Sequence, residues 1–415
     1  MELLKEVLKE IKPSEKEEKD VNSRIKIFLD RVNSGLKGAE AVLGGSGAKG
    51  TWLSRAHDAD IFVQFNYNKF NDKSEKLSEI LESHLKKKFP KIKRLHGSRD
   101  YFQVKEKDFT FEIVPILKIS KAEDAMNITD VSMLHAQWVK KHSRFTDEIR
   151  LTKQFCKANH VYGAESYING FSGYICEILT IYYGSFINLV KAAAKWKDRM
   201  YIDIEKYYKN NNDIIFNLNK SKLISPLVII DPVQKDRNAA AALSREKFDS
   251  FIQSCKSFLK KPSKDFFKIK KIDIEYLKKK AGKDSLVLIK AKPTSGKEDV
   301  VGCRLLKAFK FLEKEILEKD FKIIDKGWEW DKKGEALLWF IIKNEKLGKE
   351  IIAYGPPIKM KKFVLDFKKK YKKTFVEKGK IAAKVKREFT DVCSLLNKSI
   401  KDEYIKDKVK DIKIC

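Results

Sequence analysis

Cysteine and histidine are scarce and scattered. The six cysteines (Cys156, Cys176, Cys255, Cys303, Cys393 and Cys415) form no CxxC pair, and none stands at zinc-ligand spacing from the six histidines. That excludes a sequence-encoded zinc site and a dense disulfide framework, and predicts reduced thiols in a cytoplasmic protein. No apolar run approaches the roughly 20 residues that a membrane-spanning helix needs, so no membrane partner is expected. The opening segment, MELLKEVLKEIKPSEKEEKD, is too acidic and too short of apolar run to read as a signal peptide. Internal repeats and low-complexity linkers are also lacking. Negative charge is the minority: 58 Asp and Glu stand against 88 Lys and Arg, a net of +30.

The chain has 415 residues, 43% of them hydrophobic, which suits two to four domains with sizeable cores. Its charge is uneven. Residues 256–415 carry 45 basic and 24 acidic side chains; residues 1–255 carry 43 and 34. A basic C-terminal half suits a polyanion such as a phosphodiester backbone; a merely lysine-rich solvated surface is the alternative.

Apolar periodicity outlines an α+β multidomain protein. Leu3, Leu4, Val7, Leu8 and Ile11 repeat at helical spacing up to Pro13, and a second helix runs from about Ser14 to Leu36. A glycine-rich stretch, a strand near 56–65, a helix near 73–89 and a hairpin over 101–117 complete a small α/β region ending near residue 140. Residues 145–200 read as helical. SPLVII is a short strand, followed by a turn with Asp231-Pro232 and Arg237-Asn238, then a helix. Beyond it, DSLVLIKAKP, DFKIIDKGWEW and EALLWFIIKN read as strands. Residues 298–318 read as an amphipathic helix, KMKKFVLDFKKKYKK as a basic helix, and FVEKGKIAAKVKREF as a hairpin. The expected divisions are 1–140, 141–257 and 258–415. The tryptophans Trp328, Trp330 and Trp339 read as core.

The stretch LGGSGAKGTWLSRAHDADIFVQF, residues 43–65, invites a comparison with a P-loop. Gly44 and Lys49 have the spacing, but Ala48 replaces the second glycine and Gly50 replaces the hydroxyl residue. No strong apolar strand is expected before it either. The carboxylates are more telling. Alternate residues of a strand share a face, so Asp58 and Asp60 project together and repel. A divalent cation relieves that repulsion, and Mg²⁺ prefers a few carboxylates with phosphates and water. In FTFEIVPI, Phe109, Phe111 and Ile113 are expected to face the core. Glu112 then faces the other way from an apolar strand and is the candidate third ligand of a two-metal site. Gly45 and Ser46 offer backbone N–H groups and a hydroxyl to phosphate, with Thr51, Trp52 and Leu53 expected on a short helix behind them.

These features resemble the nucleotidyltransferase superfamily of DNA polymerase beta type. More narrowly, the chain is similar to the archaeal-type (class I) CCA-adding enzymes, the tRNA nucleotidyltransferases. The resemblance covers almost the full length. GSGAKGTWL with HDADIFVQF is similar to the family's head signature. LTKQFCKANHVYGAE, GFSGYICEIL, YYGSF and DPVQKDRNAAAALS are similar to its central domain. YGPPIKMKKFVLDFKKKY and VEKGKIAAKVKREFTDV are similar to its C-terminal region.

The resemblance implies template-independent addition of CCA to tRNA 3′ ends from CTP and ATP, with two Mg²⁺ ions and release of pyrophosphate. It implies a catalytic head, a helical central domain and a tRNA-binding body and tail in the three divisions above. Asp58, Asp60 and Glu112 match the metal-binding carboxylates, where the family usually shows Glu, Asp and Asp. Ser46 matches a nucleotide-binding serine, and Lys49 a position that is usually arginine. His135, Lys153 and Tyr162 match residues that grip the nucleotide, and Arg237 one tied to nucleotide selection. Where the family shows His-His-Lys-Trp, this chain has His135-Ala136-Gln137-Trp138. Lys359, Lys361, Lys362, Lys368, Lys369 and Lys370, surrounding Phe363, Leu365 and Phe367, are expected to contact the tRNA backbone at the acceptor stem and T arm; a solvated basic face over a buried stripe is the alternative. A homodimer is implied. Two alternatives are a poly(A) polymerase or oligoadenylate synthetase on the same catalytic module, and an RNA-binding protein with a decayed site.

Overall fold

The computed structural model describes residues 2–270, 272–345 and 347–415. It divides into two compact units, Met1–Lys270 and Lys271–Cys415.

The first unit opens with α1 (Glu2–Ile11) and α2 (Glu15–Asn33), the latter capped by Ser14, whose side chain accepts from the Glu17 N–H. Then come β1 (Ala39–Leu43), α3 (Gly45–Lys49), β2 (Asp58–Asn66) and the single turn α4 (Tyr67–Phe70). α5 (Leu77–Lys88), β3 (Lys93–Leu95), β4 (Tyr101–Glu106), β5 (Phe109–Lys118) and α6 (Ser132–Lys141) complete the head. Its five-stranded sheet has the order β1-β2-β5-β4-β3. β2 and β5 pair in parallel, and every other pairing in this sheet is antiparallel. Strand alternation sends Ile61, Val63 and Phe65 of β2 and Phe109, Phe111 and Ile113 of β5 into one core. There Phe111 stacks on Phe28 of α2, with ring centroids 3.7 Å apart. The opposite face carries Asp58 and Asp60 of β2 and Glu112 of β5 at one end, with Phe62 and Ile116 buried farther along.

Two expectations about the glycine stretch change. A strand, β1, does precede it, so that objection to a P-loop falls; the misplaced Ala48 and Gly50 still exclude one. The short helix is Gly45–Lys49 itself. Gly50, at φ +67°, ends it in the left-handed region, and Thr51, Trp52 and Leu53 lie beyond.

The middle of this unit contains α7 (Thr146–Ala158), α8 (Gly173–Tyr183), α9 (Phe186–Ala193), β6 (Met200–Ile202) and α10 (Asn211–Asn217). It ends with β7 (Leu227–Asp231), β8 (Gln234–Asn238) and α11 (Arg245–Lys260). Phe155, Phe171, Phe186, Phe251, Phe258 and Phe267 form its aromatic core, and Val7 and Ile11 of α1 reach back into it. Phe267 belongs to this core, so the first compact unit continues past residue 257 to Lys270. Arg237 and Asn238, expected in a turn, lie on β8, which folds back on β7. No single helix among the described residues is long and apolar enough to cross a membrane. The apolar pair α8 and α9 is bent by 94°.

The second unit contains α12 (Ile274–Ala281), β9 (Ser285–Pro293), α13 (Glu298–Glu318), β10 (Ile323–Glu329), β11 (Ala336–Ile342) and β12 (Glu350–Pro357). α14 (Lys361–Lys370), β13 (Phe375–Glu377), β14 (Lys380–Lys386), α15 (Val392–Ser399), α16 (Glu403–Lys408) and β15 (Val409–Ile414) follow. One sheet has the order β10-β11-β9-β15 and packs on α13; a smaller one has the order β12-β14-β13. Trp328 and Trp330 pack against the larger core, as expected, whereas strand alternation turns Trp339 to the sheet's other face, beside Gly327. The alternative for α14, a solvated basic face over a buried stripe, does not hold. Phe363 and Leu365 are 56% and 59% exposed, because α14 rests only on the edge of the small sheet, where Gly355 leaves room for the Phe367 ring.

Candidate active site

The register of the head sheet places Asp60 of β2 beside Glu112 of β5, and Glu112 beside Gln103 of β4. The three share the polar face because their neighbours in sequence, Ala59, Ile61, Phe111, Ile113, Phe102 and Val104, are buried on the other. Asp58 stands two residues before Asp60, exposed at the start of the strand. Gln103 donates to Glu112 Oε1 at 2.6 Å.

The tandem glycines fit this arrangement closely. The Gly44 N–H donates to the Asp60 carbonyl at 2.7 Å. A Cβ on Gly44 would fall 2.2 Å from the Phe62 ring, and one on Gly45 would fall 1.7 Å from Asp60 Oδ2. Gly45 also sits at φ +51°. The backbone before Ser46 is therefore pressed onto the Asp60 carboxylate, a distance no other residue type allows.

Asp60 is uncomfortable there. Burial, the Glu112 carboxylate and the Asp58 carboxylate push its pKa up to about 6, against the opposing pull of Lys49 and Lys153. An Asp60 carboxyl whose ionisation is opposed by two neighbouring carboxylates belongs to a donor set suited to a hard divalent cation. As they lie, no three metal-ligating side chains among the described residues are gathered around one point, and Glu112 is turned to Gln103.

Behind the carboxylates is a buried ionic cluster that the sequence reading missed. Glu177 of α8 accepts from Lys49 at 2.8 Å, from Lys153 of α7 at 2.7 Å and from the Thr51 hydroxyl at 2.8 Å. Lys153 also donates to Thr51 Oγ1 at 2.8 Å. Burial opposes the charge on Glu177, but Lys153 and Lys49 outweigh it and hold the carboxyl at about 2. One helical turn from Lys153, Arg150 donates to the carbonyls of Gly50 (2.7 Å) and Trp52 (3.0 Å). The loop after α3 is thus fastened to α7 at three consecutive residues. Tyr162 lies close by: a Cβ on Gly173 would sit 3.0 Å from its hydroxyl and 3.6 Å from Lys153 Cε.

A second buried carboxylate, Asp231, gathers His135 Nε2 (3.0 Å), the Tyr174 hydroxyl (3.2 Å), the Val233 N–H (3.0 Å) and the Arg237 guanidinium. Burial pushes Asp231 up, but His135, Arg237 and the Val233 N–H hold it below the usual carboxylate range. Tyr174 joins the two clusters, with Lys49 Nζ 5.2 Å from its ring centroid and its hydroxyl on Asp231.

The first unit thus brings Asp60, Glu112, Lys49, Lys153, Tyr162, His135 and Arg237 into one connected region. The five α14 lysines, with Lys359, stand exposed in the second unit. Glu177, Asp231, Tyr174 and Gln103 are the residues the sequence reading missed. Glu177 and Asp231 carried the signal that exposed Glu112: each is an isolated carboxylate in an apolar run, GYICEILTIYY and LVIID.

Three family models match this chain in tandem. Residues 1–150 match the Second Messenger Oligonucleotide or Dinucleotide Synthetase domain. Residues 147–268 match the second domain of tRNA nucleotidyltransferase, and residues 284–411 the CCA-adding enzyme C-terminal domain. Among curated proteins, the CCA-adding enzyme of Nanoarchaeum equitans is 38% identical over 359 residues, 85% of each chain. That of Methanocaldococcus jannaschii is 32% identical over 408 residues, 95% of this chain and 89% of the relative. A solved structure of Cid1, described for its RNA terminal uridylyl transferase activity, superposes with a TM-score of 0.52 at 14% identity. It covers 66% of this chain and 98% of its own, a likeness of fold.

Two outcomes are expected of these clusters. Because the folded pKa of Asp60 lies above its ordinary 3.8, metal-free protein loses stability as pH rises from about 4 through about 6. Melting curves in chelator across that range will show the loss, and Asp60→Asn will flatten it. Glu177 has the opposite sign: its stabilisation is full above its ordinary value of 4.5 and fades as pH falls through about 2. Glu177→Gln is expected to cost about 3–5 kcal/mol at neutral pH by stranding buried lysines. Denaturant titration at pH 7 measures this, and a cost under about 1 kcal/mol would contradict the cluster's role.

Proposed function

The chain belongs to the CCA-adding enzyme family, the tRNA nucleotidyltransferases, and from that premise we propose how its residues divide the work. The protein adds CMP, CMP and AMP to the 3′ end of tRNA from CTP and ATP, without a nucleic-acid template. The observation that carries the assignment of the centre is the pairing of Asp60 with Glu112 on parallel strands, with Gly45 pressed against Asp60.

Asp58, Asp60 and Glu112 would hold two Mg²⁺ ions, the shared proton-lifting repulsion at Asp60 being what such ions relieve. Bound there, the ions supply a lowered pKa for the attacking 3′-hydroxyl and neutralise charge on the leaving pyrophosphate. Gln103 steers Glu112. Gly45 and Ser46 present the loop to the phosphates. Lys49 and Lys153 share a single carboxylate, Glu177, which leaves one positive charge in excess within that cluster, facing Asp60. That charge suits a triphosphate. His135 and Tyr162 grip the nucleotide, and Arg237 takes part in base choice. Holding these groups on packed helices removes the entropy of assembling them in each cycle.

Residues 1–140 serve as head and 141–257, continued to the end of the first compact unit at Lys270, as central domain; the rest of 258–415 serves as tRNA-binding body and tail. The exposed lysines of α14 contact the acceptor stem and T arm by shape and charge, which fits many tRNA sequences of one form. The active form is a homodimer.

A second reading, an oligonucleotide or poly(A) synthetase, draws on the family match of residues 1–150. One assay separates them: purified protein, Mg²⁺ and tRNA ending at the discriminator base, with each NTP singly and together. Incorporation of C from CTP, then A, is expected. Asp60→Ala should lower the rate at least about 10³-fold, as loss of a two-metal ligand does. Addition of A without C would favour the second reading. No incorporation by the unaltered protein would favour an RNA-binding protein with a decayed site.

A further inference from the structure

Arg237 is half-exposed on β8, whereas the carboxylate it meets, Asp231, is fully buried. A guanidinium has five donors and no acceptor. Cytosine and adenine each present an acceptor ring nitrogen on their pairing edge, where uracil and guanine present an N–H. A donor held in one place therefore accepts C and A and repels U and G. A donor free to swivel discriminates much less, because it can turn its N–H groups to a carbonyl oxygen instead.

Asp231 is built to prevent that swivelling. The Val233 N–H, the Tyr174 hydroxyl and His135 Nε2 fix its oxygens from three other directions. The Tyr174 ring lies against His135, centroids 4.2 Å apart and planes inclined by 33°. The anchor thus draws on α6, α8 and the β7–β8 hairpin together. We propose that Asp231 is the positioning residue for base choice, acting by locking the Arg237 guanidinium, with Tyr174 and His135 as its braces. This rests on the reading that Arg237 takes part in nucleotide selection.

The test uses the full chain, Mg²⁺ and a tRNA transcript ending at the discriminator base, and compares kcat/KM for CTP with that for UTP. Asp231→Asn keeps the size but turns an acceptor into a donor facing Arg237. Both Asp231→Asn and Arg237→Gln are expected to lower the CTP-over-UTP preference by about tenfold or more, the scale of a lost polar discrimination. The double variant should be no less selective than Arg237→Gln alone, because the two residues act as one unit. Tyr174→Phe, which removes one brace and leaves both charges, should shift the preference the same way by a smaller factor.

Equal losses for CTP and UTP in Asp231→Asn would mark a merely structural role and overturn the proposal. An unchanged preference in Arg237→Gln would overturn the selection reading and the proposal with it. Relaxed choice in Arg237→Gln with strict choice in Asp231→Asn would overturn the proposal alone. If Asp231→Asn does not fold, Tyr174→Phe decides: an unchanged preference there overturns it.

Discussion

Repulsion among Asp58, Asp60 and Glu112 is the constraint around which the head is arranged. β2 and β5 run parallel and in register, so Asp60 and Glu112 stand on neighbouring strands about 4.8 Å apart across the sheet. The fold tolerates this because each strand buries its other face deeply, Phe111 against Phe28 above all. A strand anchored by aromatic packing can carry an unfavourable carboxylate. The cost appears in Asp60, whose proton is held up to about pH 6 until some positive charge arrives.

Everything near Asp60 answers that charge in part. Gly44 and Gly45 bring backbone against it, which requires the absence of two Cβ atoms. Lys49 and Lys153 lean toward it electrostatically while Glu177 keeps both in place. Buried ion pairs contribute little net stability compared with apolar packing, but breaking one is expensive. The Glu177 cluster is accordingly better understood as a latch than as a source of stability. It couples the position of the loop after α3 to α7 and α8. Tyr174 extends the coupling to Asp231 and Arg237.

The parts of this arrangement visible in the sequence were those with a short-range signature. Strand alternation revealed β2 and β5, and it marked Glu112 as out of place among apolar neighbours. The hairpin and the 298–318 helix followed from periodicity, and family resemblance supplied His135, Lys153, Tyr162 and Arg237. What stayed hidden was tertiary. Nothing in GYICEILTIYY says that Glu177 meets a lysine 128 positions earlier. β1 was overlooked because AEAVL is short and only partly buried. Thr51 was assigned to a helix that Gly50 already ends. The exposed Phe363 and Leu365 show that apolar residues on a helix are buried only if something packs there.

The central claim is that the raised proton on Asp60 marks a divalent-cation site. Calorimetric titration of Mn²⁺ at about pH 6, repeated in two buffers of different ionisation enthalpy, tests it most directly. The account predicts that binding to the unaltered protein releases about half a proton, as a group half-protonated at that pH does, and that Asp60→Asn binds far more weakly and releases none. Equal affinity and equal proton release in the two proteins would contradict it.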